Sequence, residues 1–200
     1  MKQAPRESPR ADRPRMPKEY GVPEKGGDLV AWSHVERRLT EATVYWISTS
    51  GPGGKPHVRP VDGIYVAGTL YVGGSPETRW ARDLAANPQV AVHLDGGMEA
   101  VILEGEAVLL EAGVAPDLAE RLAAASNAKY PQYGMTAANY SGPGPFAIRP
   151  VLALAWTSFP KDVTRFRFEG VGVRSGQAPS KPARRAAAAA PSGEGRAPAP

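Results

Sequence analysis

The spacing of the β-forming segments limits the fold of this chain more than any other feature. Residues 43–50 (TVYWISTS) are rich in β-branched and aromatic residues, which favour strands. The turn Gly51–Gly54 separates them from a second such segment, 57–66 (HVRPVDGIYV), and Ala67–Thr69 turns the chain again into 70–73. Parallel strands need crossovers of roughly a dozen residues, so loops this short predict antiparallel hairpins.

The rest of the central region continues the pattern, with helices between strands. Further strands are predicted at 89–94, 99–110, 148–157 and 163–168, and helices at 28–40, 76–87 and 116–129. Trp32, Val35 and Leu39 share one face of the first helix, where Ser33 and Glu36 have capping-box spacing. We therefore predict a mainly β (α+β) domain, a closed antiparallel barrel of six or seven strands with two or three flanking helices.

The net charge of +4 comes from the two ends of the chain. Residues 1–19 carry six basic and three acidic groups, and residues 171–200 carry five and one, which leaves 13 basic and 16 acidic groups in 20–170. Both ends are polar or rich in Pro, Gly and Ala, so we predict that 1–19 and 171–200 are disordered tails around one domain, 20–170. A folded basic module for nucleic acid is disfavoured.

The 200 residues include no cysteine, which excludes disulfide scaffolds, thiol nucleophiles and Cys-ligated metals. His34, His57 and His93 lack metal-ligand spacing, so no metal site is predicted. The start of the chain has no apolar run typical of a signal peptide, and no segment approaches the roughly 20 apolar residues of a membrane span. We predict a cytoplasmic protein without a membrane partner.

A glycine-rich strand end before a helix, residues 73–84 (GGSPETRWARDL), is the first candidate for ligand chemistry. Ser75 is predicted as the helix N-cap and Pro76 as the first helical residue. The free amides there attract an anion, and Thr78 and Arg79 add a hydroxyl and a fork of donors that match phosphate. The alternative is a self-capped helix whose arginines face water.

The second candidate is the strand at 56–63, which contains Pro56 and Pro60. Two prolines imply an edge strand or a bulge, where backbone groups remain available to a ligand. Arg59, Val61 and Gly63 would share one face of this strand. The alternative is a kinked edge strand with a surface arginine.

The third candidate is the long Gly/Pro/aromatic segment 130–145 with Tyr130, Tyr133 and Tyr140. Loops of this length in a small domain often form lids or binding walls. A loop packed by its own tyrosines is the alternative.

Residues 45–94 resemble the core of the pyridoxamine 5'-phosphate oxidase-like, flavin-binding split β-barrel family, which includes a branch that uses the deazaflavin F420. The resemblance covers about residues 30–168, in which the order of strands, turns and the Thr-Arg helix ending at Asn87-Pro88 is similar throughout. It implies a split β-barrel, FMN or alternatively F420 as cofactor, and a homodimer with two cofactor sites at the subunit interface.

By this resemblance, several residues have expected cofactor roles: Arg59, Pro60, Val61 and Asp62 beside the ring, Gly73 and Gly74 at the ring or ribityl chain, Thr78 and Arg79 on the phosphate, and Trp156 and Arg165 closing the site. The chain departs from the oxidase pattern at Trp80, where a Lys is usual, and at Ala100, where a ring-side Gln is expected. The substrate segment that grips pyridoxine phosphate is not found in 129–147. Oxidation of vitamin B6 is therefore not expected.

The resemblance implies an oxidoreductase that transfers a hydride to or from a small conjugated organic substrate. The cofactor supplies the hydride chemistry, so no protein nucleophile is required. His57, Tyr130 and Tyr133 are the candidate substrate contacts. The alternative is a non-catalytic carrier or sensor that binds the flavin or F420 without turnover.

Overall fold

Antiparallel pairing joins all nine strands of the described residues, 8–22 and 28–169, into one sheet in this computed structural model. The strands are β1 (Arg10–Asp12), β2 (Tyr45–Ser50), β3 (Pro56–Val61), β4 (Gly63–Val66), β5 (Thr69–Val72), β6 (Gln89–His93), β7 (Ala100–Leu109), β8 (Phe146–Trp156) and β9 (Thr164–Arg167). The helices are α1 (Trp32–Glu41), α2 (Arg79–Ala86) and α3 (Pro116–Lys129), with 3₁₀ turns at Lys18–Tyr20, Pro131–Tyr133 and Ala137–Tyr140.

The predicted mainly β fold with antiparallel strands is confirmed, and three helices flank the sheet. The main path of the sheet runs β1-β9-β8-β7-β6-β2-β3, and β5 pairs with both β4 and β8. The sheet is not closed, which corrects the expectation of a closed barrel and agrees with a split one. The strand count exceeds the predicted six or seven because one predicted strand is divided and β1 is added.

The long strand β8 changes partners half-way along one edge. Phe146–Ile148 pairs with β5, whereas Leu152–Ala155 pairs with β9. Opposite this change, the register with β7 shifts between Glu104 and Gly105. A Cβ at Gly105 would lie 2.2 Å from the Arg149 carbonyl oxygen, so only glycine lets the two backbones approach so closely.

The predicted strand 57–66 is divided at Asp62. β3 pairs with β2, whereas β4 pairs with β5, so the two halves belong to different parts of the sheet. Ala67 and Gly68 both have positive φ, 51° and 75°, as a type I′ turn between β4 and β5 requires. The division places Asp62 at a corner of the sheet.

Two predicted helix starts are wrong. α1 begins at Trp32 with Ala31 at the N-cap and no side-chain cap, so Ser33 and Glu36 form no capping box. α2 begins at Arg79 with Thr78 at the N-cap, not at Pro76 with Ser75. The reason is a closed turn ahead of α2, in which both the amide and the hydroxyl of Thr78 donate to the Ser75 carbonyl oxygen, at 3.1 and 2.9 Å.

The core is divided into two clusters by the sheet. In the larger one, Val35 and Leu39 of α1 are fully buried, and Trp32 packs edge-on against Phe166 with ring centroids 5.1 Å apart. In the smaller one, Leu122 of α3 packs with residues of β4 and β5. The predicted apolar face of α1 is confirmed, and the second cluster fixes α3 beside the start of β4.

The prediction of a disordered segment over 1–19 does not hold for Arg10–Asp12, which pairs with β9. Residues 10–12 have no strand pattern of their own, because this strand is stabilised by distant partners in β9. The Asp12 carboxylate accepts from Arg165 Nε at 2.7 Å and lies 3.4 Å from Arg167 Nη1. Residues 1–7, 23–27 and 170–200 lie outside the described residues, so the predicted tail over 171–200 stays a prediction.

Candidate functional site

A cavity of about 350 Å³ opens between the start of β4, the end of β5 and the segment after α3. Five predicted site residues line it: Asp62, Gly73, Gly74, Tyr130 and Tyr133. The remaining lining residues are Gly63, Ile64, Ser126, Met135, Asn139, Tyr140, Pro143, Gly144 and Pro145. The fold therefore brings residues of all three candidate segments together around one space.

Tyr130 is a fixed part of the cavity wall. Its ring is buried, and its hydroxyl donates to the Thr43 carbonyl oxygen at 2.8 Å. The same hydroxyl accepts the Gly63 amide at 3.1 Å. Burial raises the pKa of Tyr130, so its hydroxyl stays protonated at neutral pH.

Tyr133 is the exposed counterpart, since half of its surface (51%) is accessible. Its hydroxyl donates to the Asp62 carboxylate, and this bond raises the pKa of Tyr133. The pair closes the corner at which β3 ends and β4 begins. A polar group of a ligand at the cavity mouth would therefore contact both the Asp62 carboxylate and the Tyr133 hydroxyl.

The segment 134–145 is an ordered wall. Asn127 of α3 binds both backbone groups of Met135, each at 2.7 Å. Thr136 and Asn139 form a capping box around the following 3₁₀ turn. Because Pro143, Gly144 and Pro145 line the cavity, the interpretation as a binding wall is favoured over a self-packed loop.

The glycines at the end of β5 have separate roles. A Cβ at Gly73 would meet nothing within 4 Å, so a side chain there would enter the cavity that Gly73 lines.

A Cβ at Gly74 would lie 2.7 Å from Cζ2 of Trp80. Trp80 is buried against Phe146, and its position therefore faces the core. A residue at position 80 cannot supply the phosphate charge that the oxidase pattern suggested.

A basic cluster lies beyond the cavity, where β3 passes the start of α2. It consists of Lys55, His57, Arg59 and Arg79. The Arg79 Nη2 group donates to the Lys55 carbonyl oxygen at 3.4 Å. Partial burial, and then the charges of Arg79 and Arg59, lower the pKa of His57, so this ring is neutral at pH 7. Both guanidinium groups therefore lie close enough to His57 to disfavour its charged form.

Short stretches of chain connect this cluster to the cavity. Arg59 precedes Asp62 by three residues of extended chain, roughly 10 Å. On the other side, the Ser75–Thr78 turn leads from Gly74 to Arg79. The basic cluster is therefore close to the cavity along the chain on both sides, although none of its four residues lines the cavity.

Pro60 and Val61 complete β3 without entering the cavity lining. Pro60 is exposed and pairs with Trp46, and Val61 packs against the larger core cluster. Trp156 lines another cavity, of about 470 Å³, together with Trp46 and His93, and donates to the Gly97 carbonyl oxygen at 3.3 Å. Within one chain, Trp156 is therefore separate from the cavity at Asp62.

Arg165 is also placed elsewhere in the single chain. Its Nε and Nη2 donate to the two Asp12 carboxylate oxygens at 2.7 and 3.1 Å. Because the Arg165 guanidinium is bound to Asp12, it does not contribute to the cavity that Gly73 lines in the same chain. The predicted role of Trp156 and Arg165 stays a prediction that requires a second copy of the chain.

The sequence-based interpretation missed Ser126, Met135 and Asn139 in the lining and Asp83 beside Arg79. Only the length and Gly/Pro content of 130–145 signalled that this segment contributes. The sequence did not distinguish Asp83 from any other polar residue of a helix, because its burial results from the packing of β2 against α2.

A family model described as pyridoxamine 5'-phosphate oxidase matches residues 32–171. The chain belongs to the pyridoxamine 5'-phosphate oxidase family. No curated protein matches the chain by sequence. None of the helices in the described ranges has the length and apolar surface that a bilayer crossing requires.

Solved structures with the fold of this family include two mycobacterial proteins. A conserved hypothetical protein from Mycobacterium tuberculosis superposes with a TM-score of 0.54 at 16% identity, over 66% of this chain and 88% of that one. A heme binding protein from Mycobacterium smegmatis gives 0.52 at 18% identity, over 67% of this chain and 57% of that one. At these identities the likeness shows the fold alone.

The residues present fit a phosphorylated cofactor of the kind this family suggests. Gly73 leaves open space where any other residue would place a side chain. Among the residues that the structure describes, no carboxylate forms an ion pair with Arg59. Its guanidinium has only the adjacent Val58 carbonyl oxygen, at 3.4 Å. The open space at Gly73 suits the flat ring of such a cofactor, and the Arg59 guanidinium suits its phosphate.

Proposed function

We propose that this protein is an oxidoreductase that binds FMN, or alternatively F420, and transfers a hydride to or from a small conjugated organic molecule. The observation that carries the proposal is the cavity lined by Gly73 and Gly74, with Arg59 and Arg79 only a few residues away along the chain, in a member of the pyridoxamine 5'-phosphate oxidase family. When bound, the cofactor would supply the hydride chemistry, and the protein the position and the electrostatics.

The chain's own residues would hold the two ends of the ligand differently. Arg59 and Arg79 would bind the phosphate through charge-assisted hydrogen bonds. The Thr78 hydroxyl, which donates to the Ser75 carbonyl oxygen in this structure, would turn its proton to the phosphate. Gly73 and Gly74 would let the ring or the ribityl chain approach the backbone. Asp62, with Tyr133 bound to it, would face the ring edge.

Substrate contacts are proposed at His57, Tyr130 and Tyr133. Tyr133 is the most accessible of the aromatic residues in the cavity wall, and a phenol ring offers a face for a conjugated molecule. His57 is neutral at pH 7 and therefore offers both a donor and an acceptor. Tyr130 would shape the wall, because its hydroxyl is already used by Thr43 and Gly63.

We further propose a homodimer. β3 lies at an end of the sheet and exposes 42% of Val58, while β7 exposes 44% of Val108. A second copy would cover such an edge and could bring Trp156 and Arg165 to the other subunit's cavity. A cytoplasmic location is proposed from the absence of cysteine.

Binding without turnover is the second candidate, as in a carrier or sensor of flavin or F420. The observation that favours it is that the same fold occurs in the heme binding protein from Mycobacterium smegmatis, so this scaffold also serves ligand binding. The described residues offer no dedicated proton donor within the cavity other than its tyrosines and Asp62.

Parallel titrations with FMN, riboflavin and F420, read by quenching of ligand fluorescence, test the proposal. We expect FMN or F420 to bind at micromolar concentration or tighter, and FMN to bind more tightly than riboflavin, which lacks the phosphate. Bound cofactor that is reduced by a donor and reoxidised by an acceptor supports an enzyme. A tight but redox-silent complex supports the carrier, and no binding of either cofactor refutes both.

A further inference from the structure

A second cavity, of about 330 Å³, lies between the end of α1, β4 and α3, and it shares Ile64 with the proposed cofactor cavity. Its lining is largely apolar, with Ile64 and Tyr65 from β4 and Ala125 and Ala128 from α3. Thr40, Glu41 and Thr43 complete it. The one amine in this lining is Lys129, the last residue of α3.

The Lys129 amine is held in a fixed position. Nζ donates to the Tyr45 hydroxyl at 2.9 Å and to the Gly63 carbonyl oxygen at 3.2 Å. It also lies 5.2 Å from the centroid of the Tyr45 ring. The Tyr45 hydroxyl in turn donates to the Leu39 carbonyl oxygen, so the contact belongs to a buried network. A long, flexible side chain is thereby confined to one place in the cavity wall.

This amine lacks a compensating charge. Within residues 8–22 and 28–169, no carboxylate forms an ion pair with Lys129. The titratable groups around it are Tyr45 from β2, Tyr65 from β4, Tyr130 after α3 and, in the cavity lining, Glu41 from α1. Burial lowers the pKa of Lys129 to about 8. An appreciable fraction of the amine is therefore uncharged, and hence nucleophilic, near neutral pH.

We propose that Lys129 is a carbonyl-capturing nucleophile and that the second cavity binds small uncharged aldehydes. The apolar lining selects against charged compounds, and the two hydrogen bonds at Nζ hold the amine at the wall where such a compound would lie. Lys129 lines this cavity and not the proposed cofactor cavity, although the two share Ile64. The proposal does not require flavin or F420 binding.

The reaction balances without an oxidant or reductant. The ammonium of Lys129 first releases a proton to solvent. The amine lone pair then attacks the carbonyl carbon and forms a carbinolamine, which loses water to give the imine. The reverse reaction with water returns both the amine and the aldehyde, so the captured compound is released unchanged.

The test uses the full chain, without cofactor, at pH 7.5 with benzaldehyde and cyanoborohydride, which reduces the imine to a stable secondary amine. Peptide mapping by mass spectrometry then gives the labelling rate at each lysine. Lys55 and Lys161 are exposed and serve as internal controls. We expect Lys129 to be labelled about tenfold faster than either, although it is the less accessible residue, because more of its amine is uncharged.

Two further measurements separate a real site from general reactivity. Ala128→Trp places a large ring in the cavity from a solvent-exposed helix position and leaves Lys129 intact. This variant should lose most of the Lys129 labelling while Lys55 reacts as before. Unfolding the protein in guanidinium chloride should also abolish the difference in labelling rate between Lys129 and the two control lysines. Labelling of Lys129 that is equal to or slower than that of Lys55 in the native protein overturns the proposal, as does unchanged labelling in Ala128→Trp.

Discussion

Arg79 lies one helical turn before Asp83 on α2, with 3.7 Å between Arg79 Nε and Asp83 Oδ2. Asp83 is only 8% exposed and also accepts the Thr49 hydroxyl at 3.1 Å. The Arg79 side chain is 41% exposed. A buried carboxylate, held by Thr49 of β2, therefore orients the Nε side of the guanidinium that we propose as a phosphate ligand.

Arg79→Ala should weaken FMN binding by about 1–3 kcal/mol, the scale of a lost hydrogen bond to a charged group. Riboflavin affinity should change little, because riboflavin has no phosphate. Fluorescence titration of both ligands on both proteins measures this difference. Arg37→Ala on the exposed face of α1 is the matched control and should behave as wild type. An equal loss for FMN and riboflavin would remove Arg79 from the phosphate site.

Asp83→Ala should lower the free energy of unfolding by about 1–3 kcal/mol, since the Thr49 hydroxyl would lose its buried partner. The FMN preference over riboflavin should also decrease, because Arg79 would lose its orientation. Urea denaturation and the two titrations measure these effects. Glu111→Ala removes a carboxylate from an exposed position and controls for charge. Unchanged stability would contradict the buried pair.

Gly105→Ala should destabilise the fold by about 1–3 kcal/mol or more, because the new Cβ would lie 2.2 Å from the Arg149 carbonyl oxygen in the centre of the sheet. Gly53→Ala is the matched control, since a Cβ there meets nothing within 4 Å. Its change should stay within about 0.5 kcal/mol. Thermal and urea unfolding of the pair gives the comparison, and equal stability of both variants would argue against the bulge.

The stability of the protein should rise as the pH increases from about 8 toward 10, through the titration of Lys129. Its folded pKa, about 8, lies below the ordinary 10.5, so in this interval the unfolded chain binds more protons than the folded one. Lys129→Met should remove this part of the pH dependence and raise the melting temperature at pH 7. Melting curves of both proteins from pH 7 to 10 check the sign. The same slope in both would exclude Lys129 as its origin.

Asp12→Asn should destabilise the pairing of β1 with β9, by about 1 kcal/mol at neutral pH, through loss of the ion pair with Arg165. The hydrogen bond from Arg165 holds the pKa of Asp12 below its ordinary 3.8. The contribution is therefore present above pH 3.8 and is lost as the pH falls through the lower, folded value. Wild type and variant should converge in acid. Amide exchange of residues 10–12 and urea titrations at pH 3 and pH 6 test this.

Local chemistry was enough to predict most elements of this fold. The helix Pro116–Lys129 was predicted with the bounds that the structure has, because Pro116 suits a first turn and Leu122 repeats on one face. The hairpins were also predicted, because turns rich in Gly or Pro separate segments rich in β-branched residues. The start of α2 was wrong, since a turn closed by the Thr78 side chain looks in sequence like the first turn of a helix.

The candidate site was only partly predictable. Asp62, Gly73, Gly74, Tyr130 and Tyr133 line one cavity, and their roles in binding cofactor or substrate stay predictions. Trp80 could not be assigned from its neighbours, because only packing under Gly74 shows that position 80 faces the core. Lys129 carried no signal in the sequence, because its lowered pKa comes from burial, and its hydrogen-bond partners Tyr45 and Gly63 are distant along the chain.

Residues close together in the chain were enough to predict the antiparallel mainly β class, the turns and the candidate segments for ligand binding. Tertiary structure decided which segments share a cavity, where the strand at Asp62 divides, and which charges remain uncompensated. Those properties depend on strand register and burial, which bring together residues such as Asp12 and Arg165 from opposite ends of the chain. Residues close together in the chain thus determine the helices and strands, whereas packing between distant residues determines which side chains share the candidate site.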